Sequence, residues 1–545
     1  MKKYKIILSS IALGLAVSCS TDRLPDDAVT PDTYWTKEQD VRLALNGVYN
    51  FLGDEAYDAW YYDGYADNEY NQYPWESNAT NAAAGDINAT SNYGYNYGYI
   101  RNANNILANV DKVNMDDSVK KRYIAETRAL RAMNYFKLIY LFGDVPLVTK
   151  SEIDADVAPT KEADVLKFVL TELDAAAADL PASYGGGTGN ETGRITKGAA
   201  LAFKARAELY YGQFAAAAAD AKKVMEQGTY RLFETNATDL DYADKWEDFV
   251  TFSSSADRLA FYKGLASYQK MFWEENENNS EFILTNQFVS DLSSNYIFTL
   301  IMPDEFSGWS SITPTVELVN AYWRKDGTTF TPPSETDRAA WYNNGTVKPE
   351  YLNEFKNRDT RLYASIMFPK SPWNNLESGW VFNWPKGGNN TSKTGYNFKK
   401  LVDPKFKVNG DNGGNDQALI RYAEVLLTYA EAKNEASGPD ATVYDALDQI
   451  RKRVGMPVIA RTQSQASLRE IIRNERRIEL AAEGQRFFDI RRWNIASNVM
   501  KPIKDITNAN VQTRVWEERF KKMPYPQSAV DRNPLLKPAQ TAKGY

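Results

Sequence analysis

Apolar residues in the first part of this 545-residue chain recur at steps of three and four, the period of a helix with one buried face. Val41, Leu45 and Val48 follow Glu38 in a run that begins past Pro31 and that Asp32 or Thr33 is placed to cap. A second run covers Tyr123 to Phe142, with Tyr135, Leu138, Ile139 and Phe142 on one face, and stops at Gly143 ahead of Pro146. A third, Glu162 to Leu180, ends at Pro181, and Gly185-Gly186-Gly187 reads as the loop that follows. Lys197 to Tyr230 has the layout of a tetratricopeptide-type helical hairpin: Ala205, Ala207, Leu209 and Tyr210 pack one helix, Gly212 and Phe214 make the turn, and the alanines from Ala215 to Ala221 let a second helix approach closely. A similar pair, Leu419 to Ala436 and Val443 to Val454, is split by Ser437-Gly438-Pro439. The pattern predicts a mainly α protein in which two helical hairpins of one scaffold are separated by a long insertion.

That insertion, residues 235–415, is of another character. Trp246, Trp273, Trp309, Trp323, Trp341, Trp373, Trp380 and Trp384 lie among many Asn, Gly and Pro residues, which predicts loop-rich material of the kind that carries binding sites on a rigid scaffold. A second aromatic concentration runs from Trp60 to Tyr99. The expected organisation is one domain over 31–545, with an N-terminal helical part (31–234), the aromatic-rich insertion (235–415) and a C-terminal helical part (416–545).

The N-terminus has a different layout. Lys2, Lys3 and Lys5 precede an apolar run from Ile6 to Val17, and Leu15-Ala16-Val17-Ser18-Cys19 closes it. The run is too short to span a bilayer and reads as a secretory signal over residues 1–18. Small residues before a cysteine resemble a bacterial lipobox, in which Cys19 is lipidated and becomes the mature N-terminus. Acyl chains contribute about 0.8 kcal/mol per buried methylene, so several of them anchor a protein without a transmembrane helix. Residues 19–30 then read as a polar, lipidated tether.

Composition narrows the chemistry. Lys plus Arg total 64 against 71 Asp plus Glu, a net charge of −7 that becomes −10 once the three leader lysines are removed, and such a surface repels phosphate backbones. The chain holds no histidine, which excludes a Ser-His-Asp triad, a Cys-His dyad and His-ligated metal sites. Paired carboxylates for glycoside cleavage are the catalytic chemistry left open. Asn409 to Asp416 offers oxygen ligands without the acid spacing of an EF-hand, and reads as a solvated turn. Neither metal nor cofactor is expected.

Three blocks carry a family resemblance. The first joins Ala129-Leu130-Arg131-Ala132 and Tyr135-Phe136-Lys137-Leu138 to Leu141-Phe142-Gly143-Asp144-Val145-Pro146-Leu147-Val148. The second is Arg421-Tyr422-Ala423-Glu424-Val425-Leu426-Leu427 with Tyr429-Ala430-Glu431-Ala432 and Asn434-Glu435. The third runs from Asn474-Glu475-Arg476-Arg477-Ile478-Glu479-Leu480 through Glu483-Gly484-Gln485-Arg486-Phe487-Phe488-Asp489 to Arg491-Arg492-Trp493. In this order behind a lipobox, they resemble the SusD-like (RagB/SusD) family of outer-membrane nutrient-binding lipoproteins. Gln485 departs from the histidine common there. The resemblance implies a SusD-like fold, no enzymatic activity, a glycan ligand, a SusC-like TonB-dependent transporter as partner, and a lipid-anchored position on the outer membrane facing the cell exterior. A peptide-capturing RagB-like subunit and a carboxylate-dependent glycoside hydrolase stay open as alternatives.

Glu475, Glu479 and Glu483 recur every four residues and are expected to share a helix face, where Arg476, Arg486 and Arg492 would neutralise them in a structural network. Candidate ligand contacts lie elsewhere. Sugar CH faces stack on aromatic rings while hydroxyls need polar partners in the ring plane. Trp75 and Trp309 sit among Asn, Gly and Ser instead of aliphatics and are the expected platform, with Tyr73 and Tyr296 flanking and Asp67, Asn68 and Asn286 reaching hydroxyls. Trp60 and Trp493 are expected in the core. Replacing Cys19 with Ala should leave a folded protein that no longer fractionates with the outer membrane when the transporter is absent. Retention of the Ala variant in the membrane fraction would refute the anchor.

Overall fold

The computed structural model describes residues 34–151, 156–185, 191–236, 244–343 and 346–545. The leader, Cys19, the start of the chain through Thr33, and Gly186 and Gly187 lie outside them. The fold is mainly α, and among the described residues every sheet has two strands.

Helix α1, Glu38–Tyr62, starts later than Asp32 or Thr33 would have it. The Asp40 carboxylate accepts from the backbone N–H groups of Thr36 (3.2 Å) and Lys37 (3.0 Å), so an acid inside the first turn ties down the entering chain. Strand β1, Glu69–Asn71, follows, then α2, Gly98–Asn109. Helix α3, Asp117–Phe142, is capped by Asp116, which accepts from the N–H groups of Ser118 and Val119. It ends at Gly143, whose φ of 76° places it where a side chain would be strained. Helix α4, Glu162–Asp179, α5, Lys197–Tyr210, and α6, Phe214–Glu226, complete the N-terminal helical part. Thr196 caps α5 through its Oγ1, and Gly212 (φ 71°) turns the chain into α6.

In the insertion, helix α7 covers Ser255–Lys270, strand β2 Phe282–Asn286 and strand β3 Ile312–Pro314. Strand β4, Gln417–Arg421, returns the chain to the scaffold by pairing antiparallel with β2, Gln417 opposite Asn286 and Arg421 opposite Phe282. Leu419 to Arg421, expected as helix, are therefore strand, because an open edge of β2 outweighs local helical spacing. Helices α8, Tyr422–Ser437, α9, Ala441–Arg453, and α10, Gln465–Glu479, follow, then the short α11, Arg486–Arg492, and α12, Gln527–Arg532.

The helices pack in succession: α3 on α4, α4 on α5, α5 on α6, α6 on α8, and α8 on both α9 and α10. The two hairpins are thus direct neighbours although the insertion separates them in sequence. Ala217, Ala218 and Ala221 of α6 are buried, and their small side chains permit the close α6–α8 contact. The insertion builds its own apolar cluster, in which Trp246, Trp373, Trp380 and Trp384 are buried with Phe355 and Phe368, whose rings stack 3.9 Å apart. Its tryptophans are mostly core. Lys399 lies over Trp373 (4.9 Å) and pairs with Asp244 (2.9 Å), so the cation in this cluster is neutralised. Trp60 joins the same cluster, its indole N–H donating to Gln417 Oε1 at 2.9 Å. Asn415 and Asp416 are buried, and Asp416 accepts from the N–H of Phe288, so the end of the expected solvated turn packs against the segment after β2.

Beside this junction lies a network of buried charges. Helix α10 ends at Glu479, and Ala482 (φ 62°) and Gly484 (φ 73°) reverse the chain, so Glu483 does not share the helix face of Glu475 and Glu479. Their partners also differ from those expected. Glu479 accepts from Arg361 (3.0 Å), Arg421 (2.8 Å) and Arg453; Glu483 from Arg421 (2.7 Å) and Lys400 (2.6 Å); Glu475 accepts from Arg451 (2.9 Å) and forms an ion pair with Arg361 (2.6 Å). Glu281 adds Arg421 (2.8 Å) and Arg453 (2.9 Å). Arg476 and Arg492 instead bind Asp489, and Arg486 binds Asp67. Burial alone would raise the Glu479 carboxyl, but the guanidiniums of Arg453, Arg421 and Arg361 hold it well below the usual carboxylate range. Its stabilisation is therefore present above the usual carboxylate pKa and is lost as the pH falls through the depressed value. Glu479→Ala removes a carboxylate shared by three buried guanidiniums and should cost about 3 to 5 kcal/mol in urea melts, while ligand affinity of the folded fraction stays unchanged. Wild-type stability with abolished binding would contradict the structural role.

Candidate ligand-binding site

Strands β1 and β3 bring the two aromatic concentrations together. They pair antiparallel, Glu69 opposite Pro314 and Asn71 opposite Ile312, and the Gln72 N–H extends the ladder to the Ser311 carbonyl at 2.8 Å. Just beyond this rung the chains part, one carrying Tyr73-Pro74-Trp75 and the other Trp309. The Tyr73 and Trp75 rings stack with centroids 4.7 Å apart and planes 27° from parallel. Trp75 is 77% exposed and Trp309 38%, whereas the larger tryptophan cluster of the insertion is buried. A stacked aromatic pair left in water is a large apolar surface without a partner in the chain.

The Tyr73 ring and the Trp309 backbone are held from behind. The Tyr73 hydroxyl donates to Asn390 Oδ1 at 2.7 Å, and Gln72 Nε2 donates to the Trp309 carbonyl at 3.2 Å. The turn before Trp309 is fixed by its backbone: Trp309 N–H donates to the Thr299 carbonyl (2.7 Å) and Ser310 N–H to that of Met302 (2.9 Å). Gly308 is needed there, since a Cβ would lie 2.0 Å from the Met302 carbonyl oxygen. A ring on so constrained a loop loses little freedom when it meets a ligand.

Glu76 links this platform to a second aromatic group. Its carboxylate accepts from Ser311 Oγ (2.9 Å) and Tyr61 hydroxyl (3.5 Å), and its carbonyl from Tyr57 hydroxyl (3.0 Å). Partial burial raises its pKa, with the Ser311 and Tyr61 hydrogen bonds opposing. Tyr57 lies 6.3 Å from Tyr296, whose ring meets the edge of buried Trp60 at 5.7 Å. The half-buried Tyr296 thus reaches Tyr73 and Trp75 through Tyr57 and Glu76.

Asp67 and Asn68 do not reach this surface. Asp67 is 7% exposed and bound by Arg486 at 2.6 and 2.9 Å and by Arg477 at 2.9 Å, and Asn68, 1% exposed, accepts from Arg477 at 2.7 Å. Burial would raise the Asp67 carboxyl, but the two guanidiniums keep it well below the usual range. Both residues hold β1 against the C-terminal block, which corrects their expected role as hydroxyl ligands. Asn286 opens into a cleft of about 640 Å³ with Asn46, Asn50, Gln287 and Phe288, a lining that includes neither Trp75 nor Trp309.

Comparison with known proteins agrees with this architecture. A model of the SusD family matches residues 269–545, and one described as starch-binding associating with outer membrane matches 22–209. The chain belongs to the SusD family. It is 25% identical to a SusD-like protein of Formosa agariphila, over 95% of this chain and 97% of that one. A crystal structure of a SusD-like protein from Bacteroides fragilis is 26% identical with a TM-score of 0.78, covering 94% of this chain and 99% of that one. A second structure from Bacteroides fragilis, a SusD-like carbohydrate-binding protein, is 25% identical with a TM-score of 0.76, covering 92% and 100%.

In this SusD-family protein, Glu76, Tyr57 and Asn390 form part of the surface, and buried Tyr61 supports it from behind, without having been singled out from sequence. Glu76 adjoins Trp75 and could have been found by proximity; Tyr57 and Tyr61 share a face of α1 only once that helix is in place; Asn390 carried no local signal. If the platform binds ligand, Trp75→Ala and Trp309→Ala should each weaken binding by about 1 to 3 kcal/mol, roughly 5- to 150-fold, with melting unchanged. Trp493 is half-buried, and its indole N–H donates to Glu431 at 2.7 Å, so Trp493→Ala should lower the melting temperature instead. Normal binding by both folded platform variants would exclude this site.

Proposed function

We infer that this SusD-family protein is a cell-surface lipoprotein that captures a glycan on the Tyr73, Trp75 and Trp309 surface and delivers it to a SusC-like TonB-dependent transporter. The observation that carries the reading is the stacked Tyr73–Trp75 pair, with Trp75 77% exposed on a braced strand end. An indole face in water matches the CH face of a sugar ring, and Glu76, Asn390 and the exposed Asp304 beside Asn390 supply acceptors and donors for hydroxyls at its margin. The carbohydrate-binding relative from Bacteroides fragilis supports the same ligand class.

An open platform suits a chain of sugar units better than the deep cleft a peptide-capturing subunit would use. Glu76 is engaged by Ser311 and Tyr61, which suits positioning more than acid catalysis, so the protein is read as a binder and not a glycoside hydrolase. In this reading residues 1–18 are the leader, Cys19 carries the lipid, 19–30 form the tether and 31–545 the body. The description of the model matching 22–209 supports placement at the outer membrane.

Glycan-array and calorimetric screening of the full chain, with reducing-sugar assays on each hit, should give binding without product. Released reducing ends would overturn the reading in favour of hydrolysis, and binding of peptides alone would overturn the glycan. Co-purification from outer membranes should recover a barrel of transporter size, and repeated isolation of the protein alone in mild detergent would refute the partner.

A further inference from the structure

On another part of the helical scaffold lies a cleft of about 500 Å³ whose charge is opposite to that of the chain. Arg101 comes from the first turn of α2, Lys150 from the segment after Phe142, and Arg532 from the end of α12, and all three line this one cleft. Among its described lining residues there is no aspartate or glutamate, although acids outnumber bases 71 to 64 over the chain. All three cations are exposed, and none forms an ion pair with a described residue. That sets them apart from the network arginines, each of which binds carboxylates. Three cations without a carboxylate partner among the described residues, converging from separate segments, place a positive potential in a concave site.

The walls are braced independently of any ligand. Asn104 Nδ2 donates to the carbonyls of Val148 (3.0 Å) and Lys150 (3.1 Å), and the Tyr97 hydroxyl donates to that of Pro146 (2.8 Å). Asn533 Nδ2 reaches the Val157 carbonyl at 2.8 Å from the other side. Tyr95 and Tyr97, half-buried with ring centroids 5.3 Å apart, and Pro146 give the cleft an apolar wall beside the cations. Cations next to aromatic and proline surface are what an anionic sugar needs: charge-assisted bonds to its sulfate or carboxylate, and apolar contact for its ring.

We propose that the cleft between Arg101, Lys150 and Arg532 is a second binding site, specific for the sulfate or carboxylate groups of an anionic glycan. It does not rest on the Trp75 platform and stands or falls separately. The test is affinity electrophoresis of the full chain in neutral detergent through gels containing dextran sulfate, polygalacturonate or neutral dextran. At least one of the two polyanions should retard the wild type, and whichever does identifies the group taken. Arg101→Glu combined with Arg532→Glu should weaken that retardation by at least about tenfold, since each reversal removes a charge-assisted partner and adds a repulsion. Lys222→Glu combined with Lys501→Glu changes net charge equally at exposed positions outside the cleft and should have no effect. Trp75→Ala should leave retardation by the polyanion intact. The proposal is overturned if neither polyanion retards the wild type, if the Arg101/Arg532 variant melts normally yet is retarded as strongly, if the Lys222/Lys501 variant loses as much, or if the protein binds only phosphatidylglycerol vesicles.

Discussion

Glu479 and Arg421 are both buried, and each makes sense only because the other is there. Removing a charge from water costs several kcal/mol unless geometry and hydrogen bonds offset it, and here they do so with groups from distant parts of the chain. Arg421 and Arg453 come from the hairpin α8–α9 and its leading strand, Glu281, Arg361 and Lys400 from the insertion, and Glu475, Glu479 and Glu483 from the C-terminal block. Any other docking of these three parts would strand a charge. The network therefore acts more as a constraint on register than as a source of net stability.

The same block reaches the candidate ligand surface by a short relay. Arg477 and Arg486, beside the network glutamates, hold Asp67 and Asn68, and those residues open β1. The Asn68 carbonyl accepts from the Thr315 N–H at 3.0 Å, and the Asp67 carbonyl from the Thr315 hydroxyl at 2.6 Å, which sets the register of β1 on β3. One rung beyond the ladder stand Tyr73, Trp75 and Trp309. The exposed aromatics are thus placed by a relay of buried and half-buried polar residues, and this is how loops of low regularity hold two rings in a defined relation.

Much of the helical part could be read from local pattern. Periodicity, Gly143, Pro181 and the Ser437-Gly438-Pro439 break marked α3, α4 and the α8–α9 turn to within a few residues, because backbone hydrogen bonds in a helix join neighbours four apart and leave their trace in a short window. The three sequence blocks carried the family resemblance, and the scarcity of aliphatics around Trp75 and Trp309 pointed to exposed rings. Leu419 failed that test because its strand partner is in β2, more than a hundred residues earlier. Asp67 and Asn68 failed it because a carboxylate and an amide look the same in sequence whether they face water or an arginine.

By itself, then, the sequence determined the helices, their caps and breaks, the absence of histidine chemistry and the family to which the blocks point, since these depend on residue type and short spacing. Only the tertiary structure decided which tryptophans are core and which are surface, which arginine neutralises which glutamate, that Arg101, Lys150 and Arg532 share one cleft, and that Trp75 and Trp309 leave the same ladder. Each of these depends on contacts between residues tens to hundreds of positions apart, formed when distant segments of the chain pack together, and local sequence pattern carries no record of such pairings.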